Sequence, residues 1–292
     1  MKPKRPILRY HGGKFGSGGR VADWIASELP PHRLYVEPCG GAASVLLRKP
    51  RAKSEVYSEP DDDVCNLFRV VRTPYLAAEL ERVLRLTPYA RSEFEAAREK
   101  ATDPVERARR LLVLAFMGHG SAGLRSESRT GFRAAESEGR ILASQDWANY
   151  PDHLAAITDR LCGVLVESRS WQAVVPRYDA PSTLVYVDPP YLHDVRTARA
   201  TDGYRFEMTD ADHVELAEWA TNSPSMVVVS HYDHPLYREL YAGWETTSMD
   251  VRVDSGQSRT ELLWKNPAAS EACSAAETSG PLFAALESTI EA

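Results

Sequence analysis

Short apolar runs recur along this chain, and several of the longer stretches between them carry helical spacing. The runs are Leu34–Val36, Val56–Ser58, Gly163–Val166, Thr183–Val187, Met226–Ser230, Thr246–Met249 and Glu261–Trp264. Helical patterns include Val21–Leu29 and Asp210–Thr221, the second preceded by Thr209 as N-cap with Asp212 three residues on. Strands alternating with helices constrain the chain to an α/β fold whose largely parallel sheet is covered on both faces. Ligands of open α/β sheets bind outside the carboxyl ends of the strands. Glu37, Glu59 and Asp188 each close a run at that end, so all three are candidates for one crevice.

The stretch from about Val70 to Asp152 breaks this alternation. Pro74–Lys100 and Pro104–Met117 read as helices, Gly118–Gly123 as a loop, and a polar, arginine-containing segment follows to Arg140. An insertion between two halves of a sheet is the simplest account. The expected division is a discontinuous core over 1–69 and 155–266, with 70–154 inserted. The segment 267–292 is rich in Ala, Ser and Glu. It is expected to begin disordered, with a short helix over Pro281–Ile290.

A chain of 292 residues with 43% hydrophobic content can bury a large core. No apolar run is long enough to span a bilayer, and the basic start, Met1 to Pro6, lacks the apolar stretch of a signal peptide. A cytoplasmic location is expected. Cys39, Cys65, Cys162 and Cys273 are too scattered to suggest a zinc motif or a disulfide framework. The net charge of −6 argues against a nucleic-acid partner, but distribution matters more than the sum. Lys2, Lys4, Arg5, Arg9, Lys14 and Arg20 precede the first acid, Asp23. Arg107, Arg109, Arg110, Arg125, Arg129 and Arg133 cluster mid-chain, where a solvated helix face explains the first three equally well.

Four constellations carry chemistry. The run Thr183–Val187 is stopped by Asp188-Pro189-Pro190-Tyr191, because neither proline has an N–H to give a ladder. The rigid corner sets a carboxylate beside an aromatic ring. A flat ring bearing an amino group could stack on Tyr191 and donate to Asp188 and to the Pro189 carbonyl, as methylation of an exocyclic amine requires. Glu37-Pro38-Cys39-Gly40-Gly41 is a strand-to-helix turn of small residues, which lets a ligand approach backbone N–H groups. Glu59 closes the second strand, where an acid can take both hydroxyls of a ribose. Tyr10-His11-Gly12-Gly13-Lys14 offers a ring to stack on a ligand and a cation for its carboxylate, although taken alone this stretch reads first as a flexible basic arm.

Together, and in this order along the chain, these pieces resemble the Dam-like adenine-N6 DNA methyltransferases, in the version common in phages and prophages. Asn66-Leu67-Phe68, Thr130-Gly131-Phe132-Arg133, Val164–Arg169, Ser230-His231-Tyr232 and Arg259–Trp264 match too, so the resemblance spans about Arg5 to Pro267. It implies a Rossmann-like methyltransferase fold with an inserted, mainly helical recognition domain, and S-adenosylmethionine as donor. That donor's methyl is already activated, so no metal is needed. The donor site would comprise Tyr10, Lys14, Glu37, Pro38, Gly41, Glu59 and Asp188, and the catalytic corner Asp188, Pro189, Pro190 and Tyr191. Double-stranded DNA is the implied partner, with no obligate protein partner and no membrane. Arg125, Arg129 and Arg133 are the candidates for DNA contact. This chain has Cys39 where the family usually has an aromatic, Ala43 where it has glycine, Glu59 where it has Asp, and Ser170 where an acid often stands. The rival readings are a cytosine-N4 methyltransferase, which usually has Ser at position 188, and a non-catalytic DNA-binding homologue.

Overall fold

The computed structural model describes residues 2–119, 131–134, 142–195, 205–252 and 258–290; of residues 16, 17, 252, 258 and 279–290 it describes the backbone course alone. All of the expected strands form, and they join one seven-stranded sheet. In chain order they are β1 (Leu34–Glu37), β2 (Ser54–Ser58), β3 (Leu165–Glu167), β4 (Thr183–Val187), β5 (Met226–Tyr232), β6 (Glu245–Arg252) and β7 (Ser258–Lys265). Their spatial order is β3-β2-β1-β4-β5-β7-β6. The pairs β1–β2, β1–β4, β2–β3 and β4–β5 are parallel. β7 runs antiparallel between β5 and β6.

This order places a topological switch point between β1 and β4. After β1 the chain builds outward through β2 and β3, then returns to the other side of β1 for β4 and β5. A crevice opens where the outgoing and returning connections diverge, outside the carboxyl ends. Glu37 ends β1, Glu59 follows β2 and Asp188 follows β4, so topology alone gathers the three acids. Because β7 is reversed, its early residues lie at the same edge. Glu261 of β7 stands opposite Tyr232 at the end of β5.

Alternation along the strands divides the core in two. Tyr35, Tyr57, Leu184, Tyr186 and Val228 face one side. Val36, Val56, Val185, Val187 and Val229 face the other. On the first side pack α1 (Gly16–Glu28), α2 (Ser44–Arg48), α3 (Asp62–Arg72), α4 (Pro74–Leu86), α5 (Arg91–Ala96), α6 (Pro104–Met117), α7 (Ala143–Asn149) and α8 (Leu154–Leu161). On the second lie α9 (Trp171–Val174), α10 (Asp210–Asn222) and α11 (Pro235–Leu240). Thr209 and Asp212 form a complete reciprocal capping box at the start of α10. Among the described residues, no helix is long and apolar enough to cross a membrane.

Two expectations change here. The helix read over Pro74–Lys100 is two helices, α4 and α5. Pro88 has no N–H to donate and forces Thr87 out of the helical region, to φ −89° and ψ 110°. The helices of the inserted stretch pack onto the sheet, since Phe94, Leu112, Phe116 and Trp147 belong to the same apolar cluster as the sheet residues Tyr35 and Leu184. Trp147 donates to the Thr87 carbonyl at 2.8 Å, and the Tyr150 hydroxyl donates to the Ile7 carbonyl. Finally, the tail does not begin disordered. α12 (Pro267–Ile290) starts directly after β7 and buries Ala269. The buried Asn266 side chain caps it, its oxygen accepting from the N–H groups of Ala269 and Val227, each at 3.0 Å. Pro267 at the first helical position and the alanines that follow do the rest.

Candidate active site

A cavity of about 230 Å³ lies at the switch point. Tyr10, Lys14, Glu37, Pro38, Gly41, Glu59, Asp188 and Pro190 all line it, as do Ser170 and Trp171. Pro189, between Asp188 and Pro190, is buried.

The glycine turn is built by its neighbours. Gly40 N–H donates to the Ser58 carbonyl at 2.9 Å, and the Tyr57 hydroxyl donates to the Gly41 carbonyl at 2.6 Å. The Tyr57 ring stacks on Phe68, with centroids 4.2 Å apart. A Cβ at Gly40 would sit 2.1 Å from this ring, which has nowhere to go. Gly40→Ala is therefore expected to lower stability by about 1–3 kcal/mol, the range for overpacked cores. It should also deform the cavity. Urea unfolding together with donor titration checks this; unaltered values in both would show that the turn yields. Gly41 holds φ +47° under the Tyr10 ring. Ala43, where the family usually has glycine, holds φ +51° with its methyl group wholly buried. That conformation costs an alanine about 1–2 kcal/mol.

Two buried carboxyls support the turn. The Glu59 oxygens accept from the N–H of Gly41 at 3.0 Å and of Asp61 at 3.3 Å. Burial pushes its pKa up to about 7, against the pull of these two bonds. Glu37 accepts from the Tyr35 hydroxyl at 2.7 Å and from Leu46 N–H at 3.0 Å. Burial, reinforced by the charge of Asp188, raises its pKa from 4.5 to about 8. Folding therefore makes Glu37 bind a proton over that interval, while the unfolded chain has released its own. Below the interval both states hold the proton. As pH climbs from about 4.5 to about 8 the stabilisation is lost. Glu37→Gln should flatten this decline in unfolding titrations run across the same range. Parallel curves for variant and wild type would mean that Glu37 is already ionised.

The corner itself is held tightly. Lys14 is buried, and its ammonium donates to Asp188 Oδ1 at 2.7 Å and to the Tyr191 hydroxyl at 2.8 Å. Glu261 Oε1 lies 3.5 Å from the same nitrogen. Burial works against the charged lysine, but the carboxylates of Asp188 and Glu261 outweigh it and hold its pKa above the ordinary value. The Ser230 hydroxyl donates to Asp188 Oδ1 at 3.0 Å. The Tyr191 hydroxyl donates to Glu261.

A profile of the D12 class N6 adenine-specific DNA methyltransferases matches residues 10–254. The chain belongs to this family. It is similar to the DNA adenine methylase of Salmonella typhi, 28% identical over 253 residues, covering 82% of this chain and 85% of that one. The DNA adenine methylase of Escherichia coli K12 is 27% identical with the same coverage. The Type II methyltransferase M.MjaIII of Methanocaldococcus jannaschii is 21% identical over 266 residues, covering 82% of this chain and 89% of that one. Neither rival reading is favoured: the family is adenine-specific, and Asp188 stands at the corner.

In this adenine methyltransferase Lys14 lines the cavity, and its ammonium is held by Asp188 and Glu261. One expectation needs correction: Tyr191 does not offer an open stacking face. Its ring is 7% exposed, has the Lys14 ammonium 4.5 Å from its centroid, and packs on His231 with centroids 4.3 Å apart. An aromatic after two prolines can turn inward or outward, and the hydroxyl partners decide in favour of inward. The mid-chain arginines are also largely spent. Arg107 pairs with Asp62 and Asp63, and Arg109 and Arg110 pair with Glu106. Arg125 and Arg129 lie outside the described residues. Arg133 is half-buried, and no acid pairs with its guanidinium among the described residues. Its N–H donates to the Met117 carbonyl at 2.7 Å, and its own carbonyl accepts from the Tyr89 hydroxyl at 2.7 Å.

Sequence reasoning gave no role to Ser230, His231 or Glu261. The available signal was an acid within the apolar run of β7, which asks for a buried partner.

Proposed function

We propose that this methyltransferase transfers a methyl group from S-adenosylmethionine to N6 of an adenine flipped out of double-stranded DNA, with Asp188 accepting the N6–H. The position of Asp188 carries this reading. It stands at the switch point, on the rim of a cavity shared with the glycine turn and Glu59. The cavity suits the donor. Ser44 Oγ is buried on its wall with no hydrogen-bond partner among the described residues. Each Glu59 oxygen keeps a lone pair beyond its backbone bond, so the carboxylate can still take ribose hydroxyls. Tyr10, Gly41 and Lys14 line the same cavity, and the methionine end of the donor is assigned to them. The bound donor would supply a methyl carbon on positively charged sulfur, already activated for attack.

What the protein must supply is a usable nucleophile. The N6 lone pair of adenine is delocalised into the ring and lies in the wrong plane. Hydrogen bonds from N6–H to Asp188 and to the Pro189 carbonyl favour a pyramidal nitrogen aimed at the methyl. The donor would supply the methyl carbon to this lone pair and keep the S–C electron pair on its sulfur, and Asp188 would accept the proton that N6 then releases. This is positioning and electrostatic preorganisation. Base flipping follows from access, because N6 is shielded inside a duplex. Digestion of modified DNA to nucleosides tests the reading directly. N6-methyladenine is expected, and N4-methylcytosine would overturn it.

Arg133 is assigned a phosphate contact, the commoner role of an arginine at a DNA interface. Arg133→Ala should weaken binding across all sequences and reduce the slope of log K against log salt by about 0.9. An unchanged slope removes Arg133 from the contact surface.

A further inference from the structure

We infer that Glu261 is a positioning residue for methyl transfer: it holds the Tyr191 hydroxyl and shares the Lys14 ammonium, so that Asp188 keeps a free carboxylate oxygen for the incoming amine. This rests on Asp188 as the N6–H acceptor.

Glu261 is 2% exposed within β7, between residues whose neighbours Leu263 and Trp264 serve the core. Packing alone does not ask for an acid there. Exchanging a buried ion pair for apolar groups of similar volume is often neutral or stabilising. The acid is explained by what it touches. Its Oε1 accepts from the Tyr191 hydroxyl and lies 3.5 Å from Lys14 Nζ. The same hydroxyl accepts from Lys14 at 2.8 Å. Glu261 therefore grips the catalytic corner three residues beyond Asp188, by a side chain that follows the two prolines.

Lys14 and Asp188 alone would make a closed, neutral pair, and a carboxylate so paired is a weak acceptor. With Glu261 ionised the group holds two carboxylates and one ammonium, so one negative charge remains to be shared; burial raises the Glu261 pKa, and the Lys14 ammonium beside it pulls the other way. Lys14 and Ser230 both donate to Asp188 Oδ1, which assigns the other oxygen to N6–H. The corner is also pinned behind Tyr191. Leu192 N–H donates to His231 Nε2 at 3.1 Å, while His231 Nδ1–H donates to the Tyr232 carbonyl at 2.7 Å. Burial pushes the His231 pKa down to about 3, so this ring stays neutral and keeps its acceptor. Backbone, hydroxyl and carboxylate are thus fixed at three successive points, by β5 and β7.

Glu261→Gln, Tyr191→Phe and the double variant test this, using duplex DNA and labelled donor, with donor affinity read by calorimetry. Glu261→Gln should lower kcat about 10²-fold, the size of effect a small misplacement produces. KM for DNA and Kd for the donor should stay within about threefold of wild type, because the interaction serves the reacting atoms and not ground-state binding. Tyr191→Phe should fall in the same sense, and the double variant should be little worse than the poorer single, as for residues acting as one unit. Glu261→Asp, which keeps the charge, should recover part of kcat. A kcat for Glu261→Gln within about threefold of wild type, or losses that multiply in the double variant, overturns the inference. Should Glu261→Gln not fold, Tyr191→Phe decides, since an unchanged kcat there overturns it as well. An Asp188→Ala variant in the same assays separates the two levels. Full activity in Asp188→Ala removes the acceptor assignment, whereas a dead Asp188→Ala beside a normal Glu261→Gln removes the role of Glu261 alone.

Discussion

Asp188→Ala is expected to fold, bind DNA and lose methyl transfer by a factor of at least about 10²–10³, the usual loss when a preorganised hydrogen-bonding group is deleted. The variant should fold because its loss leaves a balanced remainder. Lys14 keeps Glu261 at 3.5 Å and the Tyr191 hydroxyl at 2.8 Å, so no buried charge is stranded. The corner stays closed as well, since Pro189, Pro190 and the Leu192–His231 bond are untouched. What disappears is the oxygen that orients N6. Incorporation of labelled methyl into duplex DNA gives the rate, and a gel-shift titration shows that binding persists. Full transfer by a folded Asp188→Ala protein would end this account of the mechanism.

Lys14→Met is the converse case, in which the chain loses the cation and keeps both carboxylates. Glu261 and Lys14 are nearly inaccessible to water, and Asp188 is only partly exposed. Removing one partner of a buried ion pair typically costs about 3–5 kcal/mol, because the charge left behind has neither water nor counter-ion. The midpoint of guanidinium unfolding should fall accordingly. Adding Glu261→Gln to Lys14→Met should recover part of the loss, since one of the two stranded charges is then neutral. A midpoint that does not move would show that Lys14 is not the counter-charge holding the two acids together.

Much of this fold was legible because its signals are local. A run such as Thr183–Val187 followed by two prolines has few ways to behave other than as a strand that stops. Thr209 and Asp212 announce the start of α10, and the site acids sit at the strand ends where a parallel sheet needs its ligand edge. The remaining features depend on partners far away in sequence. Nothing within Ser258–Lys265 states that β7 runs backwards, yet that reversal brings Glu261 to the corner. Lys14 reads as a basic residue in a glycine-rich arm, and only the folded chain supplies Asp188 and Glu261 to neutralise it. Tyr191 shows the same limit, its orientation being set by a carboxylate from another strand. The helix at Pro267 was missed for a smaller reason: its cap, Asn266, is ordered by Val227 and Ser225, far back in the chain.

The joining of Lys14 to Glu261 also bears on when the protein becomes active during its synthesis. Chains fold from the amino-terminal side as they leave the ribosome. β1, β2 and β4 can assemble with their helices while later segments are still being made. The ammonium of Lys14 and the hydroxyl of Tyr191 cannot be completed until β7 has emerged and inserted between β5 and β6. A nascent chain short of that point can own the cavity and the Asp-Pro-Pro-Tyr sequence without owning a finished corner. If Glu261 holds the corner as proposed, methylation awaits the emergence of β7, and products truncated before it should not modify DNA.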